Sequence, residues 1–193
     1  MTTLALAASP AGVRANLAWR VLLALAGSWL VAGLAQVEIR LPFTPVPITG
    51  QTLGVLLVGA ALGPGLGAVS MALYLAQGAL GLPFFAGGSS GADLLGLASV
   101  TGGYLVGFVV AAAAVGALAR RGWDRSLRSS ISAMFLGEIV LYLVAIPWLM
   151  QALDVSLGRA LELGLAPFVV GDTLKILLAA GLLPAAWRLA RTR

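Results

Sequence analysis

Apolar residues along this chain fall into long unbroken runs, with neither the alternation of a half-buried strand nor the narrow stripe of a soluble amphipathic helix. A first run covers residues 17–37, about the ~20 residues a helix needs to cross a bilayer. Two shorter runs, 51–62 and 67–80, are split by Gly63-Pro64-Gly65 and predict either a short helical hairpin or a partly re-entrant pair. Longer runs follow at 101–119, 131–150 and 166–187. Between the last two, Leu157, Leu161 and Leu165 recur at helical spacing beside Asp154, Arg159 and Glu162, so 151–165 reads as an amphipathic helix on a membrane surface. The pattern predicts an all-α integral membrane protein with six transmembrane helices.

Two polar breaks are longer than turns. Residues 38–51 carry Pro42, Pro45 and Pro47, which forbid helix and favour a stiff, extended path. Residues 81–103 are glycine-rich and contain Phe84-Phe85, Gly87-Gly88-Ser89-Ser90-Gly91 and Asp93. No Gly-Lys-Ser/Thr ending follows, so this stretch is not a phosphate loop and the chain has no motif for hydrolysing ATP itself.

Composition strengthens the membrane reading. Hydrophobic residues make up 60% of the chain and charged residues 10%, against roughly a quarter charged in a soluble domain. The chain has no cysteine and no histidine, which removes disulfides, thiolate chemistry, the commonest general base and the commonest transition-metal ligand. Enzymatic chemistry is short of parts, and an intramembrane enzyme is the weakest class. The net charge of +5 suggests nucleic acid until its placement is considered. Arg14 and Arg20, then Arg120, Arg121, Arg125 and Arg128, then Arg188, Arg191 and Arg193 each flank an apolar run, as cytoplasmic ends do. The opposite connections hold Glu38, Asp93, Asp154 and Glu162 against Arg40 and Arg159. The expected arrangement is a cytoplasmic segment at 1–16, one membrane domain at 17–188, a basic cytoplasmic tail at 189–193, and no cleaved signal peptide. Nucleic acid is not an expected partner; the lipid bilayer is.

Within the last run, Asp172 and Lys175 stand one helical turn apart, on one face and on the half nearer the long loops. Both are costly in a membrane and mark a solute site or an internal ion pair. Glu138 stands alone near the inner end of its run and reads either as a titrating group or as a side chain reaching the interface. Pro42-Phe43, Pro83-Phe84 and Pro167-Phe168 all fall toward the outer side, as an aromatic rim over a solute or as ordinary helix punctuation. Ala24, Ser28 and Ala32 form a small-residue row suited to close helix contact, either within the chain or with another subunit.

The run Leu41-Pro-Phe-Thr-Pro-Val-Pro-Ile-Thr-Gly-Gln-Thr52 resembles the signature loop of the biotin-transporter BioY family, the substrate-binding S components of energy-coupling factor transporters. The likeness continues through Gly63-Pro64, Gly81-Leu-Pro83-Phe, Gly87-Gly88, Thr101-Gly-Gly-Tyr104, Tyr142 to Trp148 and Gly171-Asp172-Thr-Leu-Lys175, and it spans about residues 17–188. It implies an S-component bundle with both termini cytoplasmic, in the cell membrane of a prokaryote. It further implies biotin as the ligand, a membrane coupling subunit and two ATPase subunits as partners, and ATP spent only in those partners, with no cofactor in this chain. By this resemblance Asp172 and Lys175 match the family's biotin contacts, and the expected site also includes Ser89, Tyr104, Gln51, Phe43 and Phe85. Where some members carry Asn after the Gly-Gly and Arg after Gly-Gly-Tyr, this chain has Ser89 and Leu105. Docking to the coupling subunit is expected at Ala24 and Ser28. The rival readings are a solitary carrier driven by a gradient, with Asp172 or Glu138 titrating, and a membrane scaffold with no ligand.

Overall fold

A computed structural model describes residues 3–9 and 16–191. Arg14 and Arg193, and with them much of the segments expected at 1–16 and 189–193, lie outside the described residues, as does the side chain of Arg191. The helices are α1 (Leu4–Ala8), α2 (Leu17–Ala35), α3 (Gln51–Leu62), α4 (Pro64–Ala79), α5 (Gly102–Arg120), α6 (Leu127–Leu153), α7 (Leu157–Gly164) and α8 (Val169–Arg191). A two-residue antiparallel ladder pairs β1 (Glu38–Ile39) with β2 (Ile48–Thr49), so the proline loop folds back on itself as a stiff hairpin.

Helix ends follow local chemistry. The Asn16 side chain accepts from Ala18 N and opens α2, and Ser126 accepts from Ser129 N and opens α6. That cap starts the helix at Leu127, four residues ahead of the apolar run expected from 131. Asp154 adopts a left-handed conformation (φ 53°) and stops α6, so Gln151 to Leu153 continue the long helix. The amphipathic helix expected over 151–165 is accordingly the shorter α7, capped by Ser156. α1 was not expected; it packs against α3 and α8.

α5 runs through the middle of the bundle, against α6 on one side and α3 and α4 on the other; α2 covers α4, and α8 lies on α6 and α3. The share of buried positions falls from 61% in the α5 span to 28% in α2. The outer helices turn Leu22, Trp29, Leu143, Leu174 and Leu178 outward, as lipid demands. Close approach in the centre depends on small residues: a Cβ on Gly59 of α3 would stand 2.6 Å from the Ala112 carbonyl oxygen of α5. The Ala24–Ser28–Ala32 row faces the same interior. Ala24 is 1% exposed and its carbonyl accepts from Ser70 of α4, while Ser28 is fully buried and donates to Gln77 of α4. This corrects the expectation that Ala24 and Ser28 are a docking surface: the row seats α2 on α4 within this chain.

Among the described residues, four stretches are long and apolar enough to cross a membrane: Leu17–Ala35, Gly102–Arg120, Leu127–Leu153 and Leu157–Ala190, the last containing α8. α3 and α4, at 12 and 16 residues, rise only ~18 and ~24 Å at 1.5 Å per residue, short of the ~30 Å hydrocarbon core.

Candidate solute-binding site

A cavity of about 740 Å³ lies at one end of the bundle, walled by the two long connections and the helix ends beneath them. The first turns of α8 supply the polar floor. Asp172 occupies the first turn, where the helix dipole favours an anion. Lys175 Nζ donates to Asp172 Oδ1 and to Thr52 Oγ1, both at 2.9 Å. Thr52, on α3, lies 3.5 Å from the same Asp172 oxygen. Tyr142, on α6, donates to Asp172 Oδ2 at 2.5 Å. Three helices that are distant in sequence therefore converge on one carboxylate, with side-chain exposures of only 13% for Lys175 and 8% for Asp172.

The cluster leaves capacity over. Among the described residues, Lys175 spends two of its three N–H donors, and Asp172 Oδ2 accepts only from Tyr142 and keeps a free lone pair. A donor and an acceptor thus remain side by side, and the pair carries no net charge. Such a floor suits a neutral group that both donates and accepts, such as an amide or a cyclic urea, better than an anion. The walls are mainly apolar: Val46, Phe85, Leu94, Val100, Leu105, Phe108, Leu141 and Phe168.

Most of the expected site residues line this space. Gln51 lines it but is committed, accepting from Thr49 Oγ1 at 2.7 Å and donating to Tyr74 OH at 2.6 Å. The Tyr104 ring is wall, and its hydroxyl donates to the Gly164 carbonyl at 2.6 Å. Phe85 is wall and meets the Tyr74 ring edge-on. Ser89 is wall, its hydroxyl donating to the Ala86 carbonyl at 2.8 Å. Phe43 is the exception: 63% exposed, it lies on the surface and is not part of the wall. Its neighbour Thr44 donates to the Leu163 carbonyl of α7, which pins the loop and leaves the ring outside. The expected rim of three Pro-Phe steps is corrected in the same way. Phe168 lines the cavity, Phe84 packs into the core between Trp29 and Tyr74, and Phe43 does neither.

Glu138 does not reach the interface. It is 4% exposed, and neither carboxylate oxygen has a hydrogen-bond partner among the described residues. Thr52, Tyr142 and Arg40 were not singled out from the sequence, although all three line the cavity. For the first two a signal existed: a buried aspartate demands several donors, and a tyrosine and a threonine within apolar helices are the natural suppliers.

The fold and the cavity together define a helical membrane protein with a solute-sized chamber at one end of its bundle. Residues 6–192 match the family model of BioY, and the chain belongs to the BioY family. It is 35% identical over 167 residues to the biotin transporter BioY of Rhizobium etli, covering 83% of this chain and 88% of the relative. It is 41% identical over 139 residues to the probable biotin transporter BioY of Pyrococcus horikoshii, covering 72% and 78%. Among solved structures it resembles the S-component for biotin from an ECF-type ABC transporter, with a TM-score of 0.78 and 25% identity, covering 89% of this chain and 92% of the other.

Proposed function

We propose that this chain is a biotin-binding membrane subunit that mediates biotin uptake as the S component of an energy-coupling factor transporter. The observation that carries the reading is the Asp172–Lys175–Thr52–Tyr142 cluster at the floor of an apolar cavity. Biotin presents a neutral ureido ring with two N–H donors and one carbonyl, joined to an apolar thioether ring and tail. Asp172 accepts from a ureido N–H with its spare lone pair, and Lys175 donates its third proton to the ureido oxygen. The apolar walls cover the rest. The site performs no bond chemistry, and the role is binding and passage.

Six helices span or enter the cell membrane of a prokaryote in this reading; the arginine placement supports cytoplasmic termini and, with them, a cavity at the outer face. The hairpin 38–51 and the loop 81–103 close over the ligand. A membrane coupling subunit and two ATPases supply the energy for its release inward. The test is equilibrium binding of radiolabelled biotin to membranes carrying the protein, chased with unlabelled biotin, thiamine or riboflavin. The reading requires displacement by biotin alone. Equal displacement by all three, or no saturable signal above empty membranes, rejects it.

A further inference from the structure

The floor of the cavity is electrically balanced, so it offers nothing for a ligand's own charge. Biotin is a carboxylic acid, ionised at neutral pH, and its carboxylate sits at the far end of the tail from the ureido ring. With the ring on Asp172 and Lys175, the carboxylate points away from the floor, toward the loops. Among the described residues, the cations in the cavity wall are Lys175 and Arg40. Lys175 is ion-paired with Asp172, bonds Thr52, and gives its remaining proton to the ureido oxygen at the floor. Arg40, just after β1, is the one still available.

Its setting is built. Arg40 Nε donates to Glu38 Oε1 at 2.9 Å, which fixes the guanidinium by one edge and leaves the terminal Nη donors without a partner among the described residues. The group lies over Gly87 of the opposite loop, where a Cβ would stand 2.6 Å from Glu38 Oε1 and 2.9 Å from Arg40 Nη2. Gly87 has φ +61°, so the seat is doubly reserved for glycine. The other charged group in the upper wall, Asp93, folds back against Gly91 and repels an anion from its own side.

We infer that Arg40 is the anchor for the ligand's carboxylate, and so a specificity-determining residue that selects the free acid over neutral derivatives. The inference rests on the biotin reading above. Two Nη donors in a planar fork match a carboxylate, and a charge-assisted bond of this kind discriminates more strongly than a neutral one. Arg40 retains 72% side-chain exposure, so the preference is modest, about tenfold, and it falls as salt screens it.

The experiment compares biotin with biotinamide, its neutral carboxamide, on purified wild-type, Arg40→Gln and Arg40→Lys proteins. Wild type is expected to favour the acid by about tenfold. Arg40→Gln should abolish the preference by weakening biotin while leaving biotinamide unchanged, and Arg40→Lys, which keeps the charge but not the planar fork, should retain part of it. Equal weakening of both ligands in Arg40→Gln makes Arg40 a loop support and overturns the inference, as does an unchanged preference. A wild-type protein that binds neither ligand overturns the biotin reading and this assignment together. A wild-type protein that binds biotin without preferring it to the amide overturns only the assignment.

Discussion

At the scale of single residues, the site turns on how a buried ion pair is kept whole. Asp172 is satisfied by Tyr142, Thr52 and Lys175 together, so removing one charge leaves the other stranded, at a typical cost of 3–5 kcal/mol. Lys175→Ala alone should therefore lower the melting temperature as well as the affinity. The neutral double variant Asp172→Asn/Lys175→Met should recover most of the stability and still bind no biotin. A melting scan paired with a binding assay separates the two effects, and biotin binding by the double variant would take the pair out of the site. Tyr142→Phe keeps the ring and deletes one charge-assisted bond, and should weaken biotin roughly tenfold. The Asp–Lys pair was legible because two charges at i and i+3 inside an apolar run have few explanations. Thr52 and Tyr142 were signalled only as polar residues within apolar helices, since no spacing records that they meet Asp172, and Arg40 was not, because its place at the cavity wall is set by the fold of the hairpin.

Among the elements, α3 depends on its smallest residue. Gly59 lies against the Ala112 backbone, so Gly59→Leu should push α3 off α5, cost about 1–3 kcal/mol, and displace Thr52 with its helix. The observable is a lower melting temperature with loss of binding. The connection between α5 and α6 is tied to α8 by Asp124, which is 1% exposed and accepts from Trp187 Nε1 at 2.5 Å, while the Arg125 guanidinium sits 4.9 Å over the same indole. Burial raises the Asp124 carboxyl above its usual 3.8, and the Trp187 hydrogen bond opposes this only in part. The folded state therefore holds the proton more tightly than the unfolded state does. Its stabilising contribution is complete below pH 3.8 and disappears as pH climbs through the raised value. Melting temperatures followed upward from pH 4 should fall in wild type and flatten in Asp124→Asn. A parallel decline in that variant would assign the pH dependence to another group. Element type was legible in the long apolar runs, each of which became a helix, but not in α1 or the β1–β2 ladder. The ends were set by caps at Ser126 and Asp154 that hydropathy does not weigh, and the inward face of Ala24 and Ser28 was set by α4.

For the molecule as a whole, the proposed orientation rests on the arginines, and that orientation gives the cavity its meaning. The natural absence of cysteine makes this directly measurable. Phe43→Cys, on the exposed hairpin, should react with an impermeant maleimide added outside intact cells, and Arg121→Cys only after the membrane is opened. The reverse pattern would turn the cavity toward the cytoplasm and contradict uptake. The decisive measurement is a calorimetric titration of biotin into the purified protein in detergent, with thiamine and riboflavin as controls and Asp172→Asn/Lys175→Met alongside. The account predicts saturable one-to-one binding of biotin alone, absent from the folded double variant. No heat with biotin in a folded wild-type sample, or undiminished binding in the double variant, would contradict it.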